Sequence, residues 1–316
     1  MSVRGLVAVA AIVSVLTGGC RQDTGEQTAG APGNAVTRQA VPAATAAVSV
    51  CVSIPPQAYV VKQIGGERVS VEVLVEPGQS PATYDPTPAQ MAALDDADVY
   101  FRIGVPFEDA LMARISASMP DLHVVDLRQG IELLPISGHG EQAGGSEHAS
   151  MDPHTWLDPR LVATQAETIR SQLARLDPDG AATYSMNLEA LGAELAHLDM
   201  QVAELLAPVK GRRMFVLHPA FGYFAAAYGL EQVAIEVEGR GPGPRELQQI
   251  IELARSQGLR TIFVQREFSD ASAQAVAAET DAEVVRLDPL ARDYITNLRS
   301  MARAIRDGLL QPGEGT

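Results

Sequence analysis

From residue 48 onward, short apolar runs alternate with stretches of helical period. Residues 48–54, 68–75, 98–103 and 122–126 are rich in Val, Ile and aromatic side chains and read as strands. Between them, residues 56–64, 87–96 and 107–118 carry apolar positions at helical spacing. The second of these helices has a clear start: Thr87 as N-cap, Pro88 at the first helical position and Gln90 three residues on make a capping box. A similar series follows later in the chain, with strands at 212–217, 232–236, 261–264 and 283–287 and helices at 221–228, 244–257, 270–279 and 292–310. Gly258 closes the second of those helices as a C′ glycine. Strict alternation of this kind predicts βαβ units and parallel sheets, hence an α/β fold of two lobes.

Between the two series lies the longest periodic stretch. Tyr184, Leu188, Leu191, Leu195, Leu198, Val202 and Leu205 recur at spacings of four and three, one apolar stripe along a single helix. Asp177 and Pro178 supply its start and Pro208 its stop. A coiled-coil dimer would show the same stripe, but between two α/β halves it reads more simply as a strut that limits hinge motion in a monomer.

The beginning of the chain follows a different pattern. Arg4 and the apolar run at 6–16 read as an export signal, too short to span a bilayer. Leu16-Thr17-Gly18-Gly19-Cys20 resembles a bacterial lipoprotein signal in which Cys20 becomes the lipidated N-terminus. Residues 21–47, rich in Ala, Gly, Thr, Gln and Pro, read as a flexible tether. The expected organisation is a leader at 1–19, a tether at 20–47, an N-terminal α/β lobe at 48–176, a linking helix at 177–208 and a C-terminal α/β lobe at 209–312. The expected location is the periplasm or extracytoplasmic face, anchored to a membrane through Cys20.

Composition narrows the function. The 316 residues carry a formal net charge of -15, with lysine only at Lys62 and Lys210, so no basic surface for nucleic acid is visible. Two cysteines exclude a disulfide framework, and Cys51, inside an apolar run, reads as an inert buried thiol. No His-Glu-x-x-His, Gly-x-Ser-x-Gly or P-loop pattern is present, so an enzyme is not expected.

Three side chains stand where chemistry is expected. His218 follows the apolar strand ending Phe215-Val216-Leu217 and is stiffened by Pro219. Asp288 follows Val284-Val285-Arg286-Leu287 and precedes Pro289. His154 lies in Asp152-Pro153-His154-Thr155-Trp156. Ligand groups of parallel sheets sit just past the carboxyl ends of strands, and imidazoles with a carboxylate suit zinc. Each also has a plainer reading. A histidine there can bond a loop carbonyl, an Asp-Pro can cap a turn, and His154 can pack beside Trp156.

Four segments carry a resemblance, in order: Gly78-Gln79-Ser80-Pro81-Ala82-Thr83-Tyr84-Asp85-Pro86-Thr87-Pro88, Asp152-Pro153-His154-Thr155-Trp156, His218-Pro219-Ala220-Phe221-Gly222-Tyr223-Phe224 and Asp288-Pro289-Leu290. Together they resemble the signature segments of the zinc/manganese periplasmic binding proteins of ABC importers, the cluster A-I solute-binding family, over residues 48–310. The resemblance implies two α/β lobes joined by a long backbone helix, one metal in the cleft, and delivery to permease and ATPase subunits. It carries the ligand role to His154, His218 and Asp288. The first segment departs from the pattern: Ala82 stands where the family has a histidine. Three readings of that departure stand: water fills the place, His139 or His148 from the loop at 138–148 swings in, or the site has turned to another cargo. Histidine at 218, where some relatives have glutamate, favours Zn2+ over Mn2+, while loss of one imidazole pulls the other way. The competing expectations are a binder of a non-metal solute or metal chelate, and, behind it, a zinc hydrolase using metal-bound water.

Overall fold

A computed structural model of the chain describes residues 46–136, 151–236, 243–268 and 270–310, all within one compact unit, Ala43–Thr316. The leader, nearly all of the tether, Cys20, His139 and His148 lie outside the described residues.

Each lobe is built on a four-stranded, wholly parallel sheet. The first contains β1 (Val48–Val52), β2 (Val69–Val73), β3 (Val99–Arg102) and β4 (Val124–Asp126) in the order β2-β1-β3-β4. The second contains β5 (Arg213–Val216), β6 (Glu231–Ala234), β7 (Thr261–Gln265) and β8 (Glu283–Leu287) in the order β6-β5-β7-β8. The two orders are the same when counted from each lobe's first strand. Parallel pairing forces a crossover between strands, and the helices that supply it cover the sheet faces. In the first lobe these are α1 (Pro55–Gly65), α2 (Pro88–Asp95) and α3 (Phe107–Ser118); in the second, α6 (Gly222–Tyr228), α7 (Pro244–Ser256) and α8 (Ala271–Thr280). The capping box of α2 forms as its sequence requires: the Gln90 N–H donates to Thr87 Oγ1, and the Thr87 N–H donates to Gln90 Oε1.

Three further helices join the lobes. α4 (Pro159–Leu176) was not singled out by the periodicity, yet it has a strong start, with Asp158 accepting from the Arg160 N–H and Pro159 at the first helical position. α5 (Ala181–Leu206) carries the apolar stripe and buries Tyr184, Leu191, Leu195, Leu198, Val202 and Leu206. It packs against α1 and α4 on one side and α9 (Tyr294–Leu310) on the other. The stripe is therefore consumed within the chain, and no coiled-coil partner is needed to bury it.

The strands of the second lobe serve two cores. Met214 and Val216 point into the large core shared with β1, α4, α5 and α9, while Phe215 and Leu217 point into a second core with Ile250, Ala254, Ala273 and Val276. This two-fold alternation explains why the run from Met214 to Leu217 is apolar at every position. Cys51 is fully buried and its thiol is pushed up to about 12, chiefly by burial, which makes it inert as a nucleophile.

The start of α5 is tied to the first lobe by charge. Arg68 donates through Nε and Nη2 to the two oxygens of Asp177, both at 2.7 Å, and Tyr184 adds its hydroxyl to Asp177 Oδ2. The Arg68 bonds first, and the Tyr184 bond second, hold the Asp177 carboxyl at about 2, below its ordinary 3.8. A depressed carboxyl stabilises the fold above the unfolded value and loses that contribution as pH falls. Asp177→Asn should therefore flatten the dependence of Tm on pH between about 4 and 2. Thermal melts of the two proteins across that window check it.

In a sheet of this order the crevice for ligands opens beside the first strand, where the connections reverse direction. The two lobes use that crevice differently. In the first, Glu108 fills it. Its fully buried carboxylate accepts from Ser53 Oγ, from the backbone N–H groups of Ile103 and Gly104, and from Arg102 Nε. In the second, the crevice beside β5 holds His218.

Candidate metal centre

His218 leaves the end of β5 and is held from three directions. The buried side chain of Gln265, last residue of β7, donates through Nε2 to the His218 carbonyl at 2.9 Å and accepts the His218 N–H at 3.4 Å. Phe268 stacks on the imidazole with centroids 4.6 Å apart and planes 21° apart. Glu236, just past β6, lies with Oε2 3.1 Å from His218 Nδ1. Burial, the largest influence, pushes the His218 pKa below 6.5. The Glu236 bond opposes that shift and His154 reinforces it. The ring is consequently neutral at neutral pH.

His154 is anchored to the same body. Asp152 Oδ1 lies 2.6 Å from His154 Nδ1 and also accepts the His154 N–H at 2.9 Å. Asp152 is itself fixed by the second lobe, because the Tyr223 hydroxyl donates to its carbonyl at 3.1 Å. Gly222 passes so close that a Cβ there would sit 2.5 Å from Asp152 Oδ2, so this position in the His218-to-Phe224 segment accepts no side chain without moving Asp152. Two residues beyond His154, buried Trp156 donates through Nε1 to the Pro289 carbonyl at 2.9 Å.

The two imidazoles meet with centroids 5.4 Å apart and planes at 73°. Each has its Nδ1 against a carboxylate, and no described residue hydrogen-bonds either Nε2. A carboxylate on one ring nitrogen fixes the tautomer and makes the other nitrogen a better metal donor. The sequence reading missed Glu236, Gln265 and Phe268. Asp152 lay inside a quoted motif without a role. Glu236 follows β6, the strand beside β5, so strand pairing alone would have pointed to it. Glu236→Gln should leave the fold intact and weaken zinc binding by about 10–100-fold, read by chelator competition.

Asp288 stands apart from this pair. Its Oδ1 accepts the Leu290 N–H at 3.1 Å and its Oδ2 lies 3.3 Å from Arg266 Nη1, while its carbonyl accepts from Asn297 Nδ2. Among the described residues no three His, Cys, Asp or Glu side chains are grouped closely enough to hold a metal ion. Of His154, His218 and Asp288, the structure brings the two histidines together, while an arginine and a backbone N–H hold the Asp288 carboxylate. Asp288 borders a cavity of about 450 Å3 with Pro77, Gly78, Arg266, Glu267 and Arg292. Burial first, and the neighbouring Asp288 charge after it, push the Glu267 carboxyl up to about 7. Ala82 is exposed, in a loop fixed by Phe107 donating its N–H to the Pro81 carbonyl and by Tyr84 packed edge-on against Phe107.

Two parallel α/β lobes joined by a long helix, with an oriented imidazole pair at the open crevice of one sheet, define a two-lobed binding protein of the cleft type. Comparison with known proteins makes this specific. The family model described as zinc-uptake complex component A, periplasmic, matches residues 50–308, and the chain belongs to that family. The manganese-binding lipoprotein MntA of Halalkalibacterium halodurans is 30% identical over 71% of this chain and 73% of its own length. The high-affinity zinc uptake system protein ZnuA of Paracoccus denitrificans is 28% identical, covering 85% of this chain and 94% of the relative. A crystal structure of ZnuA is 41% identical and superposes with a TM-score of 0.77, covering 83% of this chain and 99% of that one.

Proposed function

We propose that this protein is the solute-binding component of an ABC importer for a divalent transition metal, with Zn2+ as the leading cargo and Mn2+ as the alternative. The carrying observation is the pair of imidazoles 5.4 Å apart, each oriented through Nδ1 by a carboxylate and offering Nε2. Borderline-soft imidazole nitrogens suit zinc, and the relatives include both zinc and manganese binders. In this reading His154 and His218 capture the ion and Asp288 joins them on leaving Arg266. The docked permease and its ATPase then receive the cargo. His139 and His148 would supply extra ligands in the same reading. Lipidation at Cys20 would hold the protein at a membrane as a monomer; among the described residues no helix is long and apolar enough to cross one. The family is one of transport binding proteins, and the donor set is assigned to capture rather than catalysis.

Calorimetric titration of Zn2+ and Mn2+ into chelator-stripped protein tests the reading. Stoichiometric zinc uptake, tighter than manganese uptake, is the expected result; absence of uptake of either ion rejects it.

A further inference from the structure

Tyr223 lies in the first turn of α6, buried in the second lobe, yet its hydroxyl is spent on the first. There Pro135 and Met151 form an antiparallel bridge, and next to it the Asp152 N–H donates to the Leu134 carbonyl at 2.7 Å. The Leu134 N–H does not return that bond directly. It donates at 3.0 Å to the Tyr223 hydroxyl, which donates in turn to the Asp152 carbonyl at 3.1 Å. A side chain of the second lobe is thus inserted as a one-atom relay into a backbone pair of the first. Gly222 makes a second contact, its backbone lying against Asp152 Oδ2 with no room for a Cβ. Asp152 passes the position on, since its Oδ1 accepts the His154 N–H and lies 2.6 Å from His154 Nδ1. His218 precedes Gly222 in the same short segment. The carboxylate that aims one imidazole is therefore gripped by the stretch of chain that carries the other.

We propose that Tyr223 is a positioning residue for cargo capture, whose hydroxyl sets the gap between His154 and His218 by holding Asp152 to the second lobe. The inference deepens, and rests on, the metal-binding reading above. Without the hydroxyl, the Leu134 N–H and the Asp152 carbonyl both lose their partner. An unpaired backbone group is costly, so the two should close on one another. That closure draws Asp152 away from Gly222, and the His154 ring with it. A metal needs both Nε2 atoms aimed at one point, and such a constellation tolerates errors of only about 0.5 Å.

The test is zinc affinity by chelator competition on the full chain, with the visible spectrum of the Co2+-loaded protein as a readout of coordination. Tyr223→Phe keeps the buried ring and removes only the hydroxyl. It should lower zinc affinity by about tenfold and shift the Co2+ bands, which a loss of stability alone would leave in place. In an Asp152→Ala background the hydroxyl has no carboxylate left to aim, and the same change should cost less than about threefold. Gly222→Ala pushes on that carboxylate from the other contact and should reproduce the loss with the hydroxyl intact. An affinity within about threefold of the parent and unchanged Co2+ bands in Tyr223→Phe would overturn the assignment if His218→Ala still abolishes binding. A loss undiminished in the Asp152→Ala background would overturn it too. Were His218→Ala also without effect, the metal-site reading itself would fall, and the role of Tyr223 with it.

Discussion

Replacing His218 with alanine is expected to abolish tight metal binding, with a loss of more than about 100-fold in zinc affinity. Removing only the hydrogen-bond partner of a ligating histidine typically costs 10–100-fold, and removal of the ligand itself must exceed that. Gln265 clamps the His218 backbone N–H and carbonyl, not its ring, so the variant should still fold, and circular dichroism would separate the two effects. The pH dependence has a definite sign. Only neutral imidazole binds metal, so affinity falls with acid. Burial keeps His218 neutral to lower pH than an ordinary histidine, so binding should persist somewhat below pH 6.5 before it fails. In the metal-free protein the same depressed value means that the unfolded chain takes up the proton first. Stability should therefore fall as pH drops through 6.5, and this slope should be reduced in His218→Ala. A variant that binds zinc as tightly as the parent would remove His218 from the site.

Trp156→Ala should be the most damaging single change to stability. The indole is 2% exposed, sits two residues from His154, and reaches Pro289 in the loop that carries Asp288. Large-to-small replacement at such a position costs about 3–5 kcal/mol, and the Pro289 carbonyl also loses its donor. For a folded body of this size that corresponds to a fall in Tm of about 5–9 °C. Trp156→Phe keeps most of the packing and removes the hydrogen bond, at a smaller cost of about 1–3 kcal/mol. Calorimetric melts of the two variants would separate packing from hydrogen bonding. A Trp156→Ala protein that melts within a degree or two of the parent would show that the indole bridges nothing of consequence.

The two-lobed plan was legible because its signals are local. Short runs rich in Val, Ile and Phe, bounded by turns, mark a parallel sheet buried on both faces, as the double allegiance of Met214 to Leu217 shows. The stripe from Tyr184 to Leu205 marked α5 for the same reason. α4 lies outside the helices drawn from periodicity, although Asp158 and Pro159 mark its start. In the site, His154 and His218 could be named from their places after strands and in ordered motifs. Their orienting partners could not, because Glu236 reaches His218 only through the pairing of β6 with β5, and sequence adjacency says nothing of it. Asp288 shows the reverse limit. Its position after β8 was correct, but the competition between a cation and Arg266 for its carboxylate depends on a side chain from another strand end.

Glu108 bears on the stoichiometry expected of the proposed cargo. The two sheets share one strand order, so a crevice opens beside β1 as well as beside β5. Four donors moor the Glu108 carboxylate across the first, so it behaves as a permanent internal passenger. With that crevice closed, the proposed reading leaves one place for a cation, and a saturated zinc titration should settle at one equivalent.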